Sequence, residues 1–250
     1  MKVLAITQAR TGSTRLPNKI LKTINNKTLL EIHLNRIQKS KNISKIIIAT
    51  TTDPSDNAIV NIADKIGVDY YKGSVDDVLD RFYLAAKPYK PEWIVRLTSD
   101  CPLIDPLLID KVVAMAINEN LDYCSNTLIE RFPDGQDIEV FKYSALEKAW
   151  KEAKLKSERE HVTPYLKKNS TFNGGNKFNS NNYPCKSDYN RVRLTVDELN
   201  DFKVIEYLIK KLGWNAKWEE YTKEYLDSDI SKLNQNIIRN EGYKKSIIKD

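Results

Sequence analysis

Lys45-Ile46-Ile47-Ile48-Ala49-Thr50-Thr51 is apolar throughout its middle and β-branched at nearly every position. A strand with one wet face alternates polar and apolar residues. This one does not, so the pattern predicts a strand buried on both faces, as in a parallel sheet covered by helices. Asp53-Pro54 follows at once and predicts a helix start, with Pro54 at its first position and Ile59, Ile62, Ala63 and Ile66 on one face. Upstream, Val3 to Thr7 reads as another short buried strand. From Leu29 the residues Leu30, His33, Leu34 and Ile37 recur at helical spacing. Downstream come a strand at Asp69 to Tyr71, a helix from Asp77 to Ala86, a strand at Trp93 to Leu97 and a helix from Pro106 to Asn118. This alternation predicts an α/β fold with a mostly parallel central sheet flanked by helices.

The second half is less regular. Asp122 to Ser125 and Ile138 to Phe141 read as strands flanking a Pro133-Asp134-Gly135 turn. Ser144 to Lys154 and Glu158 to Lys167 read as helices, Val192 to Val196 as a final strand, and Leu199 to Leu212 as a helix. Asn169 to Tyr189 is rich in Asn, Gly and Ser and predicts a long surface loop or an arm. The expected organisation is one domain over residues 1–212, with an inserted arm at about 122–190, and a helical tail at 213–250.

The chain has 250 residues, 41% of them hydrophobic and 30% charged, which is a globular composition with ample core. No apolar run approaches the roughly 18 residues of a membrane span. Met1 to Ile6 is followed by polar Thr7, Gln8 and Arg10, so no signal-peptide core is read there. Forty basic and 34 acidic residues leave a net charge of +6, but the two signs are interleaved. That favours a solvated Lys-rich surface and a local anion pocket over a nucleic-acid polymer. Cys101, Cys124 and Cys185 are odd in number without CxxC spacing, which predicts a reducing, cytoplasmic setting and no zinc site.

The most informative segment is Gln8-Ala9-Arg10-Thr11-Gly12-Ser13-Thr14-Arg15-Leu16-Pro17-Asn18-Lys19. It follows the first strand directly and so lies at the carboxyl edge of the sheet, where open α/β folds bind ligands. Gly12 and Ser13 sit among Arg10, Arg15 and Lys19. Exposed amides, guanidinium forks and an ammonium suit a polyphosphate. Neither GxGxxG nor GxxxxGK[ST] is present, so neither a dinucleotide fingerprint nor a Walker loop is read.

The string ARTGSTRLPNK resembles the A-R-x-G-S-x-R-L-P-x-K fingerprint of the cytidylyltransferases that activate sugar acids, a family that includes the synthetases of CMP-ketodeoxyoctulosonate and CMP-sialic acid. The chain is similar, over about residues 3–210, to the spore-coat polysaccharide biosynthesis protein F branch. The resemblance implies a nucleotide-diphospho-sugar-transferase fold (GT-A-like), CTP as donor, Mg²⁺, a sugar-acid acceptor and a homodimer. On it, Arg10, Arg15 and Lys19 are the catalytic cations, and Ala9, Gly12, Ser13, Arg81 and Thr98 are nucleotide-binding. Asp100, in Thr98-Ser99-Asp100-Cys101-Pro102, and Asp197, in Arg193-Leu194-Thr195-Val196-Asp197, are the metal-binding pair. They are expected within about 10 Å of each other, as a shared ion requires. Gln136, Glu139 and His161 are candidate acceptor ligands, the last in Glu158-Arg159-Glu160-His161, with Asp134 in the same turn as Gln136 and Glu139. Two departures fall at the base site: Thr98 where the family often has Gln, and Ser99 where Gly is frequent.

The expected reaction is attack of an acceptor oxygen on the α-phosphorus of CTP with loss of pyrophosphate. The alternatives are transfer to a sugar 1-phosphate or another phosphorylated metabolite, use of another nucleotide, a GT-A-type glycosyltransferase, and a nucleotide sensor without catalysis. The nearest thing to a glycosyltransferase DxD is Asp227-Ser228-Asp229.

Overall fold

A computed structural model describes residues 2–248 and 250, Lys245 through its backbone alone. Strand β1 (Val3–Gln8) leads into the cationic loop and a small ribbon of β2 (Thr23–Ile24) and β3 (Lys27–Thr28). Then α1 (Leu29–Ile37), β4 (Lys45–Thr51), α2 (Asn57–Ile66), β5 (Asp69–Gly73), α3 (Val78–Ala86), β6 (Trp93–Thr98) and α4 (Pro106–Asn118) alternate as the sequence predicts. Helix starts are written into side chains. Thr28 and Glu31 form a capping box on α1, and Asp105 caps α4 ahead of Pro106.

The second half supplies β7 (Tyr123–Ser125), β8 (Glu139–Lys142), α5 (Tyr143–Glu152), α6 (Lys156–His161), α7 (Pro164–Lys168), β9 (Ser180–Asn182), α8 (Leu199–Leu212), α9 (Trp218–Asp227) and α10 (Glu241–Ile247). One seven-stranded sheet runs in the order β5-β4-β1-β6-β8-β7-β9. The β5-β4-β1-β6 half is parallel, and β8 enters antiparallel to β6, pairing Arg96 with Glu139. Ile46, Ile47, Ile48 and Ala49 are buried, one set facing α1, α2 and α4, the other facing α3 and α5, so β4 is covered on both sides.

Four segments differ from the sequence expectation. Pro54 opens a 3₁₀ turn (Pro54–Asp56), and α2 proper starts at Asn57. The helix expected at Glu158 to Lys167 breaks into α6 and α7 because Pro164 supplies no amide hydrogen. Between them the Thr163 amide donates to the His161 carbonyl around Val162, whose φ of 72° makes a γ-turn. Asn169 to Tyr189 lies against the sheet, and its Ser180–Asn182 pairs with β7 as the edge strand. Val192 to Val196 joins no ladder. Its amides go instead to the Asp134 and Asp100 carbonyls, through Leu194 and Val196, which brings this segment alongside the carboxyl end of β6. Gly135 permits that docking, with φ 104° and a position where a Cβ would stand 2.6 Å from the Leu194 carbonyl carbon.

Candidate active site

A cleft of about 660 Å³ opens at the carboxyl ends of β1 and β6, where β6 meets the antiparallel strand β8. The cationic loop forms one wall. Asp56, buried at the end of the Pro54 turn, accepts from the Thr11 amide at 2.7 Å and the Thr11 hydroxyl at 2.8 Å, and it also binds Thr51. Leu16 and Ile20 go into the core. The loop is thus pinned at both ends, with its charged side chains left to face the cleft.

Lys19 Nζ stands between Asp100 Oδ2 at 3.0 Å and Asp197 Oδ1 at 2.9 Å. Arg15 Nη2 reaches the same Asp197 oxygen at 2.9 Å. The two carboxylate oxygens are therefore within about 6 Å of each other, inside a shared ion's reach. Burial pushes the Asp100 carboxyl up, but the Lys19 ammonium outweighs it and holds the group down at about 2. Burial likewise lowers Lys19, and the charges of Asp100 and Asp197 more than restore it, leaving the ammonium above its usual range. Asp197 does not cap α8, a role taken by Glu198 with Asp201; its carboxylate faces the cleft. Arg193 fixes it from behind, donating to Asp197 Oδ2 at 2.9 Å while also binding Asp134 and Asp201.

Arg10, Ala9 and Ser13 line the cleft, and no carboxylate of the described residues pairs with Arg10. Gly12 is solvent-exposed beside them, without a positive φ. Arg81 lines the cleft from a buried position under the loop, with Nη1 on the Ser74 carbonyl at 2.7 Å. Burial, aided by the Arg10 charge, lowers it to about 10. Thr98 also lines the cleft, its hydroxyl 3.2 Å from Cys101 Sγ.

The acceptor-side expectations divide. Gln136 is fully buried and outside the cleft lining. Its amide donates to the Leu103 carbonyl and its oxygen accepts from the Asp105 amide, both at 2.9 Å, so it braces the start of α4 from a position that does not face the cleft. Glu139 reaches the cleft, but its oxygens are already taken by the Tyr123 hydroxyl at 2.6 Å, the Thr163 hydroxyl at 3.0 Å and Arg96 Nη1 at 2.5 Å. It positions Arg96 and is not a free acceptor ligand. His161 lines the cleft, with Nε2 2.7 Å from Ser246 Oγ and its ring 5.1 Å from that of Tyr243. Burial, with the Arg96 charge next, lowers its pKa below the usual imidazole value. Asp134 accepts from Arg193 at 2.6 Å.

Four features escaped the sequence reading. Arg96 lies in the cleft floor, held by Glu139 and Gln8; its signal was a lone arginine inside the apolar strand Trp93 to Leu97. Arg193 and Asp56 act through buried charge, for which one sequence carries little signal. The tail is the fourth: Asn240, Glu241, Gly242 and Tyr243 line the cleft. Asp227-Ser228-Asp229 lies outside the cleft, where Asp229 pairs with Lys232. Among the described residues no helix is long and apolar enough to cross a membrane.

A family model described as cytidylyltransferase matches residues 4–233. The uncharacterized protein MJ1063 of Methanocaldococcus jannaschii is 41% identical over 247 residues, covering 98% of this chain and 99% of its own. The spore coat polysaccharide biosynthesis protein SpsF of Bacillus subtilis is 32% identical over 216 residues, covering 84% and 88%. The 3-deoxy-manno-octulosonate cytidylyltransferase of Solibacter usitatus is 33% identical over 139 residues, covering 55% and 53%. Among solved structures, a cytidylyltransferase from Leptospira borgpetersenii superposes with a TM-score of 0.88 at 35% identity, covering 96% of this chain and 100% of that one.

Proposed function

The chain belongs to the cytidylyltransferase family, and from that premise we propose that it transfers the cytidylyl group of CTP to a sugar acid, releasing pyrophosphate and making a CMP-sugar for a surface polysaccharide or glycan. The observation that carries this reading is the convergence of Arg15 and Lys19 on the Asp100–Asp197 pair at the carboxyl edge of the sheet.

The pair fits a divalent ion. Two hard carboxylates converge on one cationic point, and Mg²⁺ takes few protein ligands, completing its shell with phosphate oxygens and water. Asp100 and Asp197 would hold it, and when bound it would supply charge neutralisation at the α-phosphate and a lowered pKa for the acceptor hydroxyl. The Lys19 ammonium neutralises the pair meanwhile. With nucleotide bound, Lys19 and Arg15 turn to the β- and γ-phosphates and stabilise the charge that grows on the leaving pyrophosphate, with Arg10 adding a third cation. The acceptor oxygen forms its bond to the α-phosphorus as the α–β bridging bond breaks, a step that asks for position and charge more than covalent help.

Ala9, Gly12, Ser13, Arg81 and Thr98 form the nucleotide side of this reading and His161 the acceptor side. Arg96, held by Glu139, lines the same cleft. A cytoplasmic homodimer belongs to the same proposal. Its test is pyrophosphate release across the four nucleoside triphosphates with a panel of sugar acids and sugar 1-phosphates. Release with CTP and a sugar acid alone supports the reading; release with a sugar 1-phosphate, or with another nucleotide, replaces it with the corresponding transferase.

A further inference from the structure

The family match ends at residue 233, yet the chain continues across the cleft. Arg239 anchors the continuation: it donates to the Phe132 carbonyl at 3.1 Å, to Asn190 Oδ1 at 2.8 Å and to Asp137 Oδ1 at 2.6 Å. Asn240 turns the chain with φ 59° and donates to Glu130. From there α10 spans both walls of the cleft. Glu241 Oε2 lies 3.5 Å from Arg15 Nη1 on the nucleotide wall. On the far wall Tyr243 packs edge-on to His161 and Ser246 hydrogen-bonds its Nε2, while Asp250 accepts from the Ser157 amide at 2.8 Å.

Two features make this segment easy to move. A two-turn helix is marginal without tertiary contacts, and the apolar residues of its far end, Ile247 and Ile248, are exposed and contribute little burial. Its tie to Arg15 on the nucleotide wall is a part-exposed carboxylate 3.5 Å away. That guanidinium is also one that a polyphosphate would claim, and phosphate offers it more charge than one carboxylate does. We propose that the segment from Arg239 to Ile247 is a strap across the acceptor half of the cleft, and that a bound nucleoside triphosphate unlatches it by taking Arg15 from Glu241. Nucleotide then binds first, and its binding opens the way for the acceptor. The proposal rests on the preceding reading in taking Arg15 to be a phosphate ligand and the His161 wall to be the acceptor side.

Hydrogen–deuterium exchange on the full chain tests it, with Mg²⁺·CTP and Mg²⁺·tripolyphosphate as probes. Expected is slowed exchange at residues 10–19 together with exchange at 241–247 that rises several-fold. Slowed exchange at 10–19 with unchanged or slower exchange at 241–247 overturns the strap and leaves the enzyme reading standing. Glu241→Gln, without ligand, should raise exchange at 241–247 by about two- to fivefold, the worth of a part-exposed ion pair. Tyr243→Ala should raise it as well, through loss of the His161 contact. If neither probe protects 10–19, the nucleotide reading falls, and the two variants still decide the latch: unchanged exchange in both overturns it.

Discussion

Lys19→Met separates the two jobs assigned to Lys19, because methionine keeps the length of the stem and removes only the charge. In the wild-type protein one ammonium lies within 3.0 Å of both Asp100 and Asp197. Without it, two carboxylates at most about 6 Å apart repel by at least about 1–3 kcal/mol, between the limits for water and for a site near a protein surface. The variant should relieve that repulsion by taking up a divalent cation without nucleotide. Its Mn²⁺ affinity, read from the electron paramagnetic resonance of the free ion, should exceed that of wild type by roughly tenfold or more. Turnover in the pyrophosphate-release assay should fall by about 10²–10³, the usual cost of removing one donor from a developing anion. Equal Mn²⁺ affinity in the two proteins, or turnover in the variant within threefold of wild type, would refute the assignment of Lys19 to this locus.

Asp100→Asn should cost on the order of 1–2 kcal/mol at pH 7, given a carboxyl held at about 2 against an unfolded value near 3.9 in a partly exposed site. Because the folded value is the lower one, that stability is present above pH 4 and lost as pH falls toward 2, so melting curves of the two proteins should converge over that interval. Glu139→Ala strands the Arg96 guanidinium and two hydroxyls, and thermal unfolding should register a loss of about 3–5 kcal/mol. Gln136→Ala should cost about 1–3 kcal/mol while leaving KM for CTP unchanged; a selective rise in the acceptor's KM would return Gln136 to the acceptor site. Gly135→Ala has to place a Cβ against the Leu194 backbone at a strained φ, so its Tm should drop by roughly 5–15 °C.

The parallel half of the fold was legible because its signals are local. An unbroken apolar run such as Lys45 to Thr51 has few ways to be buried, and Thr28, Asp105 and Pro106 mark helix starts by chemistry that acts within one turn. The second half was less so. The Val192 to Val196 run is as β-branched as a strand, but its hydrogen bonds go to the Asp134 and Asp100 carbonyls, partners far away in sequence. The site followed the same division. The cationic loop with Arg15 and Lys19, and Asp100, stood out because they follow runs that end at the sheet's carboxyl edge, whereas Asp197 was paired with Asp100 through the family resemblance; the structure brings the four side chains together. Gln136 and Glu139 looked like ligands because a polar turn near a cleft offers polar atoms, and only the structure shows Leu103, Asp105, Tyr123, Thr163 and Arg96 consuming them. The tail's place over the cleft depends on Arg239 finding Asp137, a contact across about a hundred residues that no periodicity encodes.

The most direct test of the account is incubation of the protein with CTP, Mg²⁺ and a pool of sugar acids, followed by mass detection of the products. The account predicts a CMP-linked sugar acid and an equal amount of pyrophosphate, both absent from a parallel reaction with Asp100→Asn. CTP left intact across the whole pool, or a CMP-linked product formed equally well by that variant, would contradict it.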